Sequence, residues 1–138
     1  MADALQVIGR LVAATNAHDI DALVGCFATG YVNETPAHPL RGFRGREQVR
    51  SNWTTIFGAV PDIRTEVRSH AVAGDQVWTE WEMRGTRQDG SAHQMAGVII
   101  FGVQADQITS ARFYLEPVET GSGDADAAVQ RLTDGPRP

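Results

Sequence analysis

Apolar residues recur along the chain with two different periods, and the change of period divides the sequence into two parts. Before Asp62 they recur at spacings of three and four, as they do on one face of an α-helix. This spacing predicts helices over residues 3–16, over a short stretch that begins at Asp19, and from Arg46 to Phe57. From Asp62 onward apolar and polar residues alternate, which predicts β-strands.

The alternating part consists of consecutive runs that are separated by short turns, a pattern typical of a largely antiparallel meander. Helices followed by such a meander predict an α+β fold. The runs are residues 63–74, 75–90, 91–106 and 107–119, and they are separated near Gly74-Asp75, Asp89-Gly90 and Ala105-Asp106.

Alternation also predicts which side chains face the interior of the sheet. Burying Glu80 and Glu82 without partners would be costly, so their neighbours on the same strand must face inward. Gly97 in mid-strand predicts a bend or the close approach of a ligand. The inner set either lines an apolar pocket or forms an ordinary filled core. It comprises Val77, Thr79, Trp81, Met83, His93, Met95, Gly97, Ile99, Phe101, Ala111, Phe113 and Leu115.

The outer face of the predicted sheet carries an apolar stripe of Trp78, Val98, Ile100 and Tyr114. A stripe of this size is typical of a partner surface. We interpret it as a homodimer interface, and the alternative is that the C-terminal tail folds over it.

Composition narrows the class of protein. The chain has 138 residues and a formal net charge of −5, and no basic run predicts nucleic-acid binding. No apolar stretch approaches the length of a membrane span. Cys26 is the single cysteine, so no internal disulfide can form and a cytoplasmic location is expected. One domain over residues 1–118 is predicted, followed by a polar tail over 119–138 with a short helix from Asp124 to Leu132.

The stretch YVNETPAHP, residues 31–39, places polar groups in an unusual position. If its first part is a strand, Tyr31, Asn33 and Thr35 share one face, and Glu34 lies on the other. A phenol, an amide and a hydroxyl on the inner face could hold a water molecule or polarise a carbonyl group. The alternative is that they satisfy backbone groups near the end of a strand.

Candidate chemistry beyond this stretch is sparse. His93 is the leading candidate for a general base, because imidazole titrates near neutral pH, although a hydrogen-bonded core histidine would fit the same position. Glu34 is a second candidate if it turns inward. The histidines show no metal-ligand spacing, and no phosphate-binding glycine motif occurs, so neither a metal nor another cofactor is expected. The expected aromatic walls of a pocket are Trp53, Trp81 and Phe113.

Six segments follow one another in a characteristic order: HDIDALVGCFATGYVNETP, GFRGREQVRSNW, VPD, GDQVWTEW, GT before the Asp-Gly turn, and ITSARFYLEPVE. Together they resemble the nuclear transport factor 2-like superfamily, and within it the SnoaL-like polyketide cyclase group. The resemblance covers about residues 5 to 118. It implies a cone-shaped, cystatin-like fold in which three N-terminal helices pack on a strongly curved sheet and enclose an apolar pocket.

The chain departs from two reactions of related families. The resemblance to limonene epoxide hydrolases places their water-holding tyrosine and asparagine on Tyr31 and Asn33. Their arginine and two aspartates would fall on Trp81, Met83 and Phe113. The base of ketosteroid isomerases would fall on Thr35. Neither mechanism is therefore expected here in its usual form.

Three hypotheses about function remain. The first is a cofactor-independent enzyme that isomerises, cyclises or dehydrates an apolar small molecule, with Tyr31, Asn33, His93 and Glu34 as catalytic candidates. The second is a non-catalytic binding protein of the same fold, and the third is a protein-interaction module with a filled interior. The expected ligand contacts are Thr35, Trp53, Trp81, Met83, Met95, Phe113 and Leu115.

Overall fold

The computed structural model describes residues 3–134 and contains four α-helices and a six-stranded sheet. The predicted α+β architecture, with three helices before the meander, is confirmed. The elements in chain order are α1 (Ala4–Asn16), α2 (Ile20–Gly25), β1 (Phe27–Glu34), a short 3-10 helix (Pro39–Arg41), β2 (Phe43–Arg44), α3 (Arg46–Ala59), β3 (Arg64–Ala73), β4 (Gln76–Thr86), β5 (Ala92–Gln104), β6 (Gln107–Pro117) and α4 (Ala125–Thr133).

The first two helices begin at residues whose side chains satisfy free backbone N–H groups. Asp3 accepts from the backbone of Gln6, whose side chain accepts in return from the backbone of Asp3, a capping box. Asp19 caps α2 by accepting from Ala22 at 3.1 Å. Between the two helices His18 has a positive φ of 55° and stacks on Phe57 of α3. The positive φ of His18 thus lies in the turn that connects α1 to α2.

The sheet has the strand order β2-β1-β6-β5-β4-β3. The hairpins β3–β4, β4–β5 and β5–β6 are antiparallel, as the alternating runs predicted. β1 pairs with β6, the last strand of the meander, and runs parallel to it. This pairing puts the polar stretch that begins at Tyr31 beside the last strand of the chain.

The inner face of the sheet is filled where α1 crosses it. Val77, Thr79, Trp81 and Phe101 are at most 2% exposed, and the side chains of α1 pack over this part of the sheet. The Trp81 indole nitrogen donates to the Thr79 hydroxyl at 2.5 Å, and that hydroxyl donates to the carbonyl of Ile99 at 2.6 Å. Each buried polar group here has a partner, as a filled core requires.

At Gly97 the backbone of β5 closely approaches the backbone of β6. Its φ is 150°, and a Cβ at this position would overlap the carbonyl oxygen of Tyr114. Only a residue without a side chain allows the two backbones to come so close. The group that closely approaches Gly97 is therefore the neighbouring strand.

The predicted outer stripe is only partly exposed. Trp78 and Tyr114 are each 44% exposed, and Val98 is half-buried. Ile100 is only 4% exposed, so the prediction that it offers surface to a partner is wrong. In the register of the sheet Ile100 lies between Trp78 and Arg112, which flank it on the two adjacent strands.

Candidate functional site

A cavity of about 310 Å³ lies between α3 and the part of the inner face that α1 does not cover. Because its walls are mostly apolar and aromatic, it has the character of a small-molecule site. A filled interior, which the third hypothesis required, is therefore not what the structure contains. The lining residues are Phe27, Tyr31, Asn33, Thr35, Arg41, Phe43, Val49, Asn52, Trp53, Ile56, Ile63, Met83, His93, Met95, Phe113 and Leu115.

The deep end of the cavity carries a hydrogen-bonded pair. The phenol of Tyr31 donates to Oδ1 of Asn33 at 2.7 Å, and the two residues are 1% and 7% exposed. The bond uses the amide oxygen and leaves the Asn33 NH₂ group, which makes no hydrogen bond within residues 3–134. Burial raises the pKa of Tyr31 above its ordinary range. The phenol therefore stays protonated and cannot serve as a base at neutral pH.

His93 lies at the other end of the cavity. Asn33 pairs with Ala111 of β6, and Ala111 pairs with Phe101 in the second half of β5. His93 lies at the opposite end of β5, next to its first residue. Burial, together with the positive charge of Arg87, lowers the pKa of His93 below 6.5. At neutral pH its imidazole is therefore uncharged and can accept a proton. The pair at the deep end and this imidazole would contact opposite ends of a ligand.

Two further polar residues line the cavity. Arg41 is exposed while it lines the cavity, which places it at the opening. Asn52 of α3 accepts from Gln48 at 2.8 Å through its amide oxygen. No aspartate or glutamate between residues 3 and 134 lines this cavity.

Most of the predicted site residues lie together around the cavity. On β1 these are Tyr31 and Asn33, and Thr35 follows directly after the strand. All three line the cavity, as the alternation in YVNETPAHP predicted. The roles assigned to them remain predictions. The remaining predicted contacts that line the cavity are Trp53, Met83, His93, Met95, Phe113 and Leu115.

Two predicted site residues do not line the cavity. Glu34 is exposed, because alternation along β1 turns it to the outer face, and it does not reach the interior as a base would have to. Trp81 faces inward as predicted, but it belongs to the filled part of the sheet, where it packs near Phe101 and bonds Thr79. It is 2% exposed and is a core residue rather than a ligand contact.

Sequence reasoning missed several lining residues. Val49 and Ile56 lie on the apolar face of α3, and the helical spacing could have assigned that face to the cavity. Nothing in the local sequence of Arg41 distinguishes it from the nearby Arg44, which does not line the cavity. The others that were missed are Phe27, Phe43, Asn52 and Ile63.

The described part of the chain contains no group of three or more histidine, cysteine, aspartate or glutamate side chains that could hold a metal ion. Cys26 is buried, and burial raises the pKa of its thiol, so its sulfur is a poor nucleophile.

Among residues 3–134 no helix is long and apolar enough to cross a membrane.

The sequence matches the model of the SnoaL-like domain family over residues 8–111. The match covers most of the chain, and the protein therefore belongs to this family. No curated protein matches the sequence at a significant level.

Solved structures with the same fold include several proteins of bacteria. RV0760c from Mycobacterium tuberculosis, in complex with estradiol-17beta-hemisuccinate, is 19% identical, and the match covers 92% of this chain and 98% of that one with a TM-score of 0.71. An LEH-like epoxide hydrolase of M. tuberculosis is 18% identical over 94% and 89% of the two chains, with a TM-score of 0.68.

A hypothetical protein with a ketosteroid isomerase-like fold from Catenulispora acidiphila, in complex with trimethylamine, is 20% identical. That match covers 82% of this chain and 87% of the other, with a TM-score of 0.67. At these identities the likeness establishes the fold, as the resemblance to nuclear transport factor 2-like proteins predicted, and it establishes no activity.

Proposed function

We propose that the protein binds an apolar small molecule in the cavity and transforms it by proton transfer, without a cofactor. The observation that carries the proposal is an apolar cavity with a neutral hydrogen-bonded pair, Tyr31 and Asn33, at its deep end. The free NH₂ group of Asn33 would donate to a carbonyl or hydroxyl oxygen of the ligand. Two proteins of this fold have been solved in complex with small organic ligands, which supports the binding part of the proposal.

His93 would move the proton in this scheme. It is the one lining residue with an uncharged basic nitrogen at neutral pH among those that the structure describes. The reaction would be an isomerisation, a cyclisation or a dehydration. In each, His93 would take a proton from the ligand and return it to another carbon, to the newly formed alkoxide or to the departing hydroxyl group. Because the Asn33 amide lies at the other end of the cavity, it would hold the ligand in place rather than stabilise the charge at the reacting atom.

A non-catalytic binding protein is the second candidate, and one observation favours it. Among residues 3–134 the cavity wall has no carboxylate, which removes the usual partner of a proton-transferring histidine. Phe113 and Met83 line the cavity at positions where the resemblance to epoxide hydrolases would require acidic or basic residues. Binding would then be the whole function of the cavity.

An activity screen separates the two candidates. The protein is incubated with β,γ-enones, epoxides and linear polyketide-like ketones, and products are followed by mass-resolved chromatography. We expect a product that a His93→Gln variant forms about 100- to 10,000-fold more slowly. A Tyr31→Phe/Asn33→Ala variant should lose the product through weaker binding, once its folding has been verified by circular dichroism. Arg44→Gln, on the exposed edge strand β2, is the matched control and should keep full activity.

Entry of a ligand into the cavity can be observed directly. Met83 and Met95 both line it, and the chain has only 3 methionines, so ¹³C-methyl methionine spectra are simple to assign with Met83→Leu and Met95→Leu variants. Compounds that shift both methyl signals without being converted would establish the binding protein. If no compound of the panel shifts either signal, the cavity is not a ligand site and both candidates fail.

We further propose that the protein is a cytoplasmic homodimer that pairs through the outer face of the sheet. The exposed parts of Trp78 and Tyr114 support this, since large aromatic side chains are typical of interfaces. With Ile100 buried, however, the contact would depend on these two rings and on Val98. A Trp78→Gln/Tyr114→Gln variant should be a monomer by sedimentation velocity at concentrations where the parent is a dimer. If the unsubstituted protein is itself a monomer at these concentrations, the homodimer proposal is wrong.

A further inference from the structure

The wall of the cavity carries a positive charge and, within residues 3–134, no negative one, although the chain as a whole has a formal net charge of −5. Arg41 supplies this charge at the opening. Its guanidinium makes no hydrogen bond and no ion pair with any group of the described chain. A guanidinium is always charged and has five N–H donors. Arg41 is therefore available to an anion from outside the chain.

Two amide groups of the wall likewise favour ligands that accept hydrogen bonds. The oxygen of Asn33 accepts from Tyr31 at 2.7 Å, and the oxygen of Asn52 accepts from Gln48 at 2.8 Å. Each amide is left with its NH₂ group, which can only donate. The cavity thus offers several free donors to a ligand, and such a wall selects molecules that carry acceptor oxygens.

The two ends of the cavity suit different acceptors. A carboxylate at the deep end, beside Tyr31 and Asn33, would be buried without a counter-charge, which is strongly unfavourable. At the opening the same group would remain partly hydrated and would face Arg41. Glu116, which follows the lining residue Leu115 on β6, pairs with His38 at 2.9 Å and not with Arg41.

We propose that the ligand of this cavity is an apolar organic anion, whose charged group pairs with Arg41 at the opening. A neutral oxygen at its other end accepts from Asn33. This inference rests on the proposed function, because it names the class of ligand for the same cavity. It holds for an enzyme and for a binding protein alike, because neither alternative changes the polar groups of the wall.

Two fluorescent probes that differ by one charged group provide the test. 8-Anilinonaphthalene-1-sulfonate and N-phenyl-1-naphthylamine share the same apolar rings, and only the first is an anion. The variant is Arg41→Gln, and the matched control is Arg44→Gln, whose exposed side chain lies three residues away and does not line the cavity. The Met83 and Met95 methyl signals report whether each probe enters the cavity.

We expect the parent to bind the anionic probe more tightly than the neutral one. Arg41→Gln should weaken binding of the anion about tenfold, the effect of losing a charged hydrogen bond, and leave the neutral probe within about twofold. Arg44→Gln should change neither by more than about twofold.

The contrary outcomes separate this inference from the function beneath it. If both probes shift the methionine signals but Arg41→Gln weakens them equally, or weakens neither, the anion inference is wrong and the cavity remains a ligand site. If Arg41→Gln and Arg44→Gln weaken binding of the anionic probe equally, the probe responds only to the overall charge of the protein. This outcome would also overturn the anion inference. If neither probe shifts Met83 or Met95, the proposed function itself fails.

Discussion

The inner face of the sheet has two halves that arise from the same alternating pattern and end in opposite states. In the half under α1, Val77, Thr79 and Trp81 are packed to at most 2% exposure. In the half under α3, Met83, Met95 and Leu115 line a cavity of about 310 Å³. Gly97 lies at the border, where it pairs with Trp81 on one side and with Leu115 on the other.

The difference lies in the helices rather than in the strands. α1 packs directly on β3, β4 and β5, and buries five of its side chains, whereas Val49 is the one fully buried residue of α3. α3 makes its main contacts with α2 and β1 rather than with β4 and β5, so a cavity remains between it and these strands. A strand pattern therefore predicts which side chains face inward, but the helix above decides whether they form a core or a cavity wall.

The largest effect should come from Trp81→Ala. This change removes a ring from the filled half and leaves the Thr79 hydroxyl without its donor, and we expect the free energy of unfolding to fall by about 3–5 kcal/mol. Trp53→Ala, in the cavity wall, should cost about 1–2 kcal/mol, and Trp78→Ala, on the outer face, less than about 1 kcal/mol. Urea denaturation of the three variants measures this order. Equal losses for Trp81 and Trp53 would show that the two halves do not differ.

Gly97→Ala should be nearly as damaging, since it tests the border between the halves. A side chain would be strained at a φ of 150° and would overlap the Tyr114 carbonyl. We expect a loss of about 2–4 kcal/mol. Gly58→Ala is the control, because it lies in α3 with nothing within 4 Å of its added Cβ, and it should stabilise by up to about 1 kcal/mol. A neutral Gly97→Ala would mean that β5 and β6 can separate without cost.

Adding volume should distinguish the halves with a moderate effect. Val77→Phe inserts a ring where no space exists, and we expect thermal denaturation to show a loss of about 1–3 kcal/mol. Leu115→Phe points into the cavity and should cost less than about 1 kcal/mol, because the ring occupies empty space. The same variant should bind N-phenyl-1-naphthylamine more weakly than the parent does. If Leu115→Phe destabilises as much as Val77→Phe, the cavity is not empty in solution.

The smallest effect concerns the pH dependence of His93. Its pKa in the folded protein is lowered from 6.5, first by burial and then by Arg87, so the unfolded chain binds the proton more readily. Stability should therefore fall as the pH is lowered from about 6.5 through the folded pKa, and should change no further below it. His93→Gln should remove this small contribution. A ¹H–¹⁵N titration that places the His93 midpoint above 6.5 would contradict the assignment.

The site was predictable to the extent that it depends on alternation. The pattern of residues 31–39 placed Tyr31, Asn33 and Thr35 on one face and Glu34 on the other, and this parity holds in the structure. Alternation could not show that Trp81 belongs to the core and Met83 to the cavity wall, because both face inward on β4. Only the helix that packs above each residue distinguishes them. The role of Arg41 at the opening was equally hidden, since it depends on where a short 3-10 helix lies in space.

The sequence by itself determined the elements, their order and the inward set of each strand, because these follow from local period, capping residues and turn residues. It also determined the family, through the spacing of those elements. The tertiary structure alone decided that β1 pairs with β6, that Ile100 is buried on the outer face, and that the inner face is filled at one end and hollow at the other. These features depend on distances between residues far apart in the chain, which no local pattern specifies.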